Sequence, residues 1–165
     1  MSAVDAAIPK REGHMVKVTP PGRPAVCFVN VHLPMCPLRE QIVPEPGVME
    51  YARSRLDNFF ALMRSPLPSP LIVAGDFNTP GGYADLRDAM RGFTDAFSQA
   101  GRGWGKTIPA AVPMSRIDHV YLPAGFTAVD CHAMSTQWSD HRAVVADVVM
   151  QKERRSPAGK TKGTR

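Results

Sequence analysis

The sequence predicts an α/β fold (an α+β variant included) in which helices and sheets lie in layers. Two observations carry this. An apolar strand-like run, Ala25 to His32, is followed by a stretch of helical periodicity and then by a second apolar run, Leu71 to Ala74. The final third then holds three more strand-like runs separated by turn signals. A length of 165 residues suits one domain with a substantial core, and 44% apolar with 21% charged residues is ordinary for a globular chain.

The elements follow in order. HMVKVTPPGRPAVCFVNVHLP reads as two strands: Met15, Val16 and Val18 begin one, Pro20-Pro21-Gly22 punctuates, and Ala25 to His32 is the more buried second. PMCPLREQIVPEPG, with four prolines, reads as a long loop of the kind that is functional or mobile. In VMEYARSRLDNFFALMRS, Val48, Ala52, Leu56, Phe59, Phe60 and Met63 recur at helical spacing. PLPSP ends that helix, and the strand Leu71 to Ala74 follows, stopping at Gly75. YADLRDAMRG suggests a short helix closed by Gly92. FTDAFSQAGRGWGKTIPAAVPMS is too rich in Gly and Pro for more than a brief element, and SRIDHVYLP, FTAVDCHAM and RAVVADVVM are the last strands. Residues 1–14 are expected to be poorly ordered, 15–150 to form the domain, and 151–165 to be a disordered basic tail.

Charge narrows the function. The formal net charge is +5, from 20 Lys and Arg against 15 Asp and Glu; the last fifteen residues hold six of the bases and one of the acids, leaving positions 1–150 with 14 of each. The basic balance therefore belongs to the tail, and the body offers no global electrostatic argument for DNA or RNA. Cys27, Cys36 and Cys131 are odd in number and lack CxxC spacing, so neither a disulfide framework nor a zinc site is supported. His14, His32, His119, His132 and His141 show no metal-finger spacing either. No apolar run reaches membrane-spanning length and no signal core opens the chain, so the expected setting is cytoplasmic, away from membranes.

Four polar knots stand at the ends of strand-like runs: Asn30 and His32 in NVHLP, Asp76 and Asn78 in GDFN, Asp118 and His119 in RIDHVYL, and Asp140 and His141 in SDHR. Each has a bland reading. Asp76 and Asn78 suit a turn, a histidine in a β run is often structural, and Asp118 could pair with Arg116. Together they offer carboxylates to a hard divalent cation, imidazoles for proton or phosphate work, and an amide for an oxyanion.

In this order VNVHLP, LIVAGDFN, RIDHVYL and SDHRAVVADV, with GKTIP before the third, make the chain resemble the endonuclease/exonuclease/phosphatase superfamily over about Met15 to Met150. Members hydrolyse phosphate esters with a divalent metal, usually magnesium. The resemblance implies a DNase I-like fold, a layered β-sandwich flanked by helices. It implies that Asp76 positions the attacking water, with Asn78 bonding beside it to the phosphate. His141 contacts the phosphate or transfers a proton, and Asp118 holds the His141 imidazole in one tautomer. His32 donates to a phosphate oxygen beside Asn30, also expected to bind substrate. Asp140 ligates the metal or stands just behind its ligands, with Asp76 the other metal residue. His119, alternating with Asp118, is expected to face away and be structural.

The resemblance also implies a departure. Complete members open with a strand bearing an Asn, a helix, and a strand ending in Gln-Glu, that Glu being the principal metal ligand. Nothing before His14 matches. Glu12 lies in a charged segment, and Glu40, Glu45 and Glu50 follow the His32 strand. The domain is therefore expected to be N-terminally incomplete, with Mg2+ or Mn2+ weakly bound. An apolar sheet face should stand open, to be covered by a homo-oligomer contact or by the missing N-terminal segment. Two functions compete. One is a metal-dependent hydrolase of phosphate mono- or diesters, acting on a nucleic acid, a sugar or inositol phosphate, or a phospholipid head group. The other is an inactive remnant or binding module that keeps the fold.

Overall fold

The computed structural model describes residues 2–3, 13–34 and 46–151. Its elements are β1 (Ser2–Ala3), β2 (Gly13–Val18), β3 (Val26–His32), α1 (Pro46–Arg64), β4 (Leu71–Asp76), α2 (Ala84–Ala89), β5 (Phe93–Asp95), α3 (Ala96–Ala100), β6 (Gly101–Arg102), β7 (Asp118–Pro123), β8 (Phe126–Met134) and β9 (Ala143–Met150). Among the described residues they form a six-stranded sheet, β1-β2-β3-β4-β7-β5, and a three-stranded sheet, β6-β8-β9.

Alternation along the central strands sorts side chains between two apolar layers. On one face of the large sheet, Cys27, Val29 and Val31 of β3 join Leu71 and Val73 of β4 and Tyr121 of β7, packed with Phe59, Phe77, Leu86 and Met90. The helical stripe read from the sequence supplies Leu56, Phe59, Phe60 and Met63 to that layer; the Val48 and Ala52 side chains lie outside the described residues. On the other face Val26, Ile72 and Leu122 meet Ala128 and Cys131 of β8, with Val144, Ala146 and Val148 of β9 alongside. Burial pushes the Cys131 thiol up to about 11, the behaviour of a packing cysteine. Cys27 is also buried and free, and Cys36 lies outside the described residues.

Among the described residues the small sheet leaves part of the large one uncovered. Phe28 is 38% exposed, and a cleft of about 710 Å³ opens between the layers, lined by Val26, Phe28, Ile72, Val120, Val144 and Val148.

Several boundaries differ from the sequence reading. β4 runs on through Gly75 to Asp76 instead of stopping at Gly75, because the backbone of both residues is still paired with β3 and β7. The helix expected over 83–92 is limited to Ala84–Ala89. β5, α3 and β6 occupy a stretch expected to hold no more than a brief element. FTDAFSQA contains no Gly or Pro, and Asp95 caps α3 by accepting from the Ser98 N–H at 3.0 Å. At the N-terminus Ser2–Ala3 pair antiparallel with Lys17 and Val16. Glu12, the loop from 35 to 45 and the tail from 152 onward lie outside the described residues.

Candidate active site

Sheet register assembles the site. β3 runs parallel to β4 with His32 level with Asp76, and β7 runs antiparallel to β4 with Asp118 opposite Asp76. Partners level with one another share a face, so three adjacent strands end in a row of His32, Asp76 and Asp118. The His32 Nε2 stands 3.7 Å from Asp76 Oδ2, its side chain largely in solvent. Asn30, two residues back on the same face, lines the hollow of about 370 Å³ beside the row, together with Gly75, Asp118, Ser139 and His141.

The GDFN stretch is both a turn and a site. Gly75 has φ 134°, and a side chain there would collide with the Val31 carbonyl. Phe77 points inward, fully buried, and its N–H donates to the Ile117 carbonyl at 2.9 Å. Asn78 takes φ 48°, a left-handed conformation that asparagine tolerates. Its backbone N–H donates to Asp76 Oδ1 at 2.7 Å, while its Nδ2 donates to Asp76 Oδ2 at 3.1 Å and to the Leu33 carbonyl at 2.8 Å. The Asn78 amide nitrogen is thus engaged in holding Asp76 and the end of β3, where the sequence reading aimed it at a phosphate.

His141 arrives from the loop between β8 and β9. Its Nδ1 donates to Asp118 Oδ2 at 2.9 Å, as a nitrogen facing a carboxylate must. Asp118 leaves Arg116 free to pair with Asp95 at 2.6 Å. Asp140, next to His141, lies at the surface. Its side chain is exposed over a neighbouring hollow with Pro109, Ala110 and Arg142, and its carbonyl accepts from the Ala110 N–H at 2.6 Å.

Thr107 was given no role from the sequence, although GKTIP was the signal that contained it. Fully buried, its hydroxyl accepts from the N–H groups of Ile117 and Asp118 at 3.3 and 3.4 Å. Its carbonyl accepts from the Arg142 N–H at 2.7 Å, and Arg142 Nε donates to the Ala110 carbonyl at 2.8 Å. One threonine therefore ties the Asp118 strand to the His141 loop.

Burial raises the Asp76 pKa above the ordinary carboxylate value; the Asn78 N–H opposes this, Asp118's charge adds to it, and His141 and His32 pull it back down. One atom each from Asp76, Asp118 and His141 lies within 4.8 Å of the other two, a potential metal group among the described residues. Two carboxylates crowded together, one of them reluctant to ionise, are a donor set that fits a hard divalent cation.

Solved structures share this fold at low sequence identity. An endonuclease/exonuclease/phosphatase from Bacteroides vulgatus is 19% identical with a TM-score of 0.62, the match covering 84% of this chain and 55% of that one. The mannosyl-6-phosphatase of Bacteroides thetaiotaomicron is 19% identical with a TM-score of 0.51, covering 76% and 51%. The endonuclease domain of TRAS1, a telomere-specific non-LTR retrotransposon, is 16% identical with a TM-score of 0.57, covering 88% and 66%. The chain thus spans about half the length of the first two. No curated protein matches the sequence. Among the described residues no helix is long and apolar enough to cross a membrane. The layers are those of the DNase I-like fold. The sequence itself matches one family over residues 4–141, a span that contains every strand-end residue of the row and reaches His141, and on that match the chain belongs to the Endonuclease/Exonuclease/phosphatase family.

Proposed function

We propose that this site hydrolyses phosphate mono- or diesters with the help of a divalent cation. The observation that carries the reading is the row of His32, Asp76 and Asp118 on three adjacent strand ends, met by His141 from the second sheet. Asp76 is the group that orients water, and its raised proton affinity suits it to accept a proton. With Nδ1 tied to Asp118, His141 has Nε2 left to donate to a phosphoryl or leaving oxygen. His32, exposed at its strand end, is placed to donate to a second phosphoryl oxygen, and Asn30 forms part of the wall. Asp76 and Asp118 would hold the cation, Mg2+ or Mn2+, whose chemistry is to neutralise phosphoryl charge. With so few carboxylates, weak binding is expected.

The names of the structural relatives point in two directions, to a mannosyl-6-phosphatase and to an endonuclease domain, so the reading stays at phosphate ester. The neutral body lends nothing to nucleic acid in particular. One observation favours a second reading, a binding module that keeps the fold: Asp140 stands outside the metal group. Hydrolysis of bis-p-nitrophenyl phosphate, with and without Mg2+ or Mn2+, separates the two. Cation-dependent turnover that is lost in Asp76→Ala and His141→Ala is expected. A folded chain that is inert with every cation overturns the catalytic reading.

A further inference from the structure

We propose that His119 is a positioning residue, which holds the Asp76–Asn78 turn from the far side of the sheet. It follows Asp118 on β7 and points to the opposite face, where its side chain is fully buried. Its Nε2 lies 3.2 Å from the Thr79 carbonyl oxygen, which can only accept, so Nε2 carries the proton. Its Nδ1 faces Asp95 Oδ2 at 3.0 Å, the carboxylate oxygen to which Arg116 Nη1 also donates at 2.6 Å, and lies 2.9 Å from that Arg116 nitrogen. The Asp95–Arg116 pair thereby holds the ring by its Nδ1 edge, and Nε2 aims a donor at the turn.

The ring is also clasped by the stretch that leaves Asp76. Phe77 packs edge-on at 5.6 Å between centroids, and a Cβ on Gly81 would come within 2.9 Å of His119 Cε1. Tyr121 stacks on the ring at 5.5 Å. An apolar side chain would fill this space without the desolvation cost of a buried polar group, but it would offer no bond to Thr79. The polar choice contributes direction, and the direction leads to the loop that carries Asp76 and Asn78.

Two measurements test this. The first needs no activity. Imidazole nitrogen NMR is expected to find a protonated, pyrrole-type Nε2 in His119. His119→Phe, which keeps the ring, is also expected to shift the Asn78 amide proton that donates to Asp76 while leaving β8 and β9 resonances in place. His119→Gln, which can present a donor at the Nε2 position, should restore that resonance, and His119→Asn should not. The second measurement rests on the hydrolase reading above: kcat falls about 10- to 100-fold in His119→Phe with KM nearly unchanged, and recovers in the Gln variant. Should His119→Phe fail to fold, Gly81→Ala presses on the same ring and is expected to move the same Asn78 amide. An unmoved Asn78 amide, or shifts spread evenly over both sheets, overturns the proposal and makes His119 a core filler. An inactive chain whose Asn78 amide responds as described overturns only the hydrolase reading.

Discussion

Asp118 and His141 meet at 2.9 Å across the gap between the two sheets, carboxylate oxygen to Nδ1. The two come from different layers, so their bond sets the orientation of the imidazole and joins the sheets at the site's end. Replacing the carboxylate with an amide of the same shape removes the preference for an Nδ1 proton. Asp118→Asn is therefore expected to lower kcat by roughly 10²- to 10⁴-fold with KM little changed, read from steady-state kinetics on a p-nitrophenyl ester.

Asp76 is held ionised at a cost, since burial and Asp118's charge both favour its neutral form. In cation-free protein at neutral pH, Asp76→Asn is expected to raise Tm: one partly buried charge beside Asp118 is gone and the amide oxygen keeps the bond from the Asn78 backbone N–H, which outweighs the loss of the longer bond from Asn78 Nδ2. The same variant should bind Mn2+ at least about tenfold more weakly, as loss of one of few oxygen ligands requires. Calorimetry checks both; a variant that melts lower and binds equally well would mean Asp76 is a turn residue only.

Asp95 shows the opposite shift. Burial would raise it, but hydrogen bonds from His119 and Arg116 and the guanidinium's charge bring it down from 3.8 to about 2. A carboxylate with a depressed folded value stabilises the fold fully above 3.8, and that contribution drains away as the pH falls towards 2. Its size is on the order of 2 kcal/mol. Urea unfolding across this window should show the loss in the native chain and a flatter profile in Asp95→Asn, whose side chain can still cap α3.

Thr107→Val keeps the shape of the side chain and removes the acceptor for Ile117 and Asp118. Leaving two buried N–H groups unmet should cost about 1–3 kcal/mol in denaturant unfolding. The loss of activity should exceed what the stability change explains, because Asp118 is one of the groups released.

The chemistry of the site was legible in the sequence wherever two functional side chains stand within two residues of each other. Asn30 with His32, Asp76 with Asn78, and Asp118 beside the buried His119 could all be read from local spacing and strand ends. Their meeting could not. The row depends on β4 lying between β3 and β7, and strand order is a long-range property that no local period encodes. Asp140 and His141 show the limit in one dipeptide: the backbone turns one inward to Asp118 and leaves the other at the surface. The β5–α3–β6 stretch was obscured because a Gly- and Pro-rich neighbour, 101–113, dominated the reading of the whole segment. Thr107 was hidden for a different reason, since its role lies in backbone groups ten residues away.

Because β3 and β4 pair in parallel, the chain must leave one end of the sheet and re-enter at the other, and α1 lies on that return path. Parallel pairs cannot be joined by a tight turn, and such long-range closures come slowly and after local structure has formed. A collapsed chain with α1 already wound has neither His32 beside Asp76 nor Asp76 opposite Asp118. Competence at this site is therefore a late property of folding, reached only when contacts between distant parts of the chain have closed.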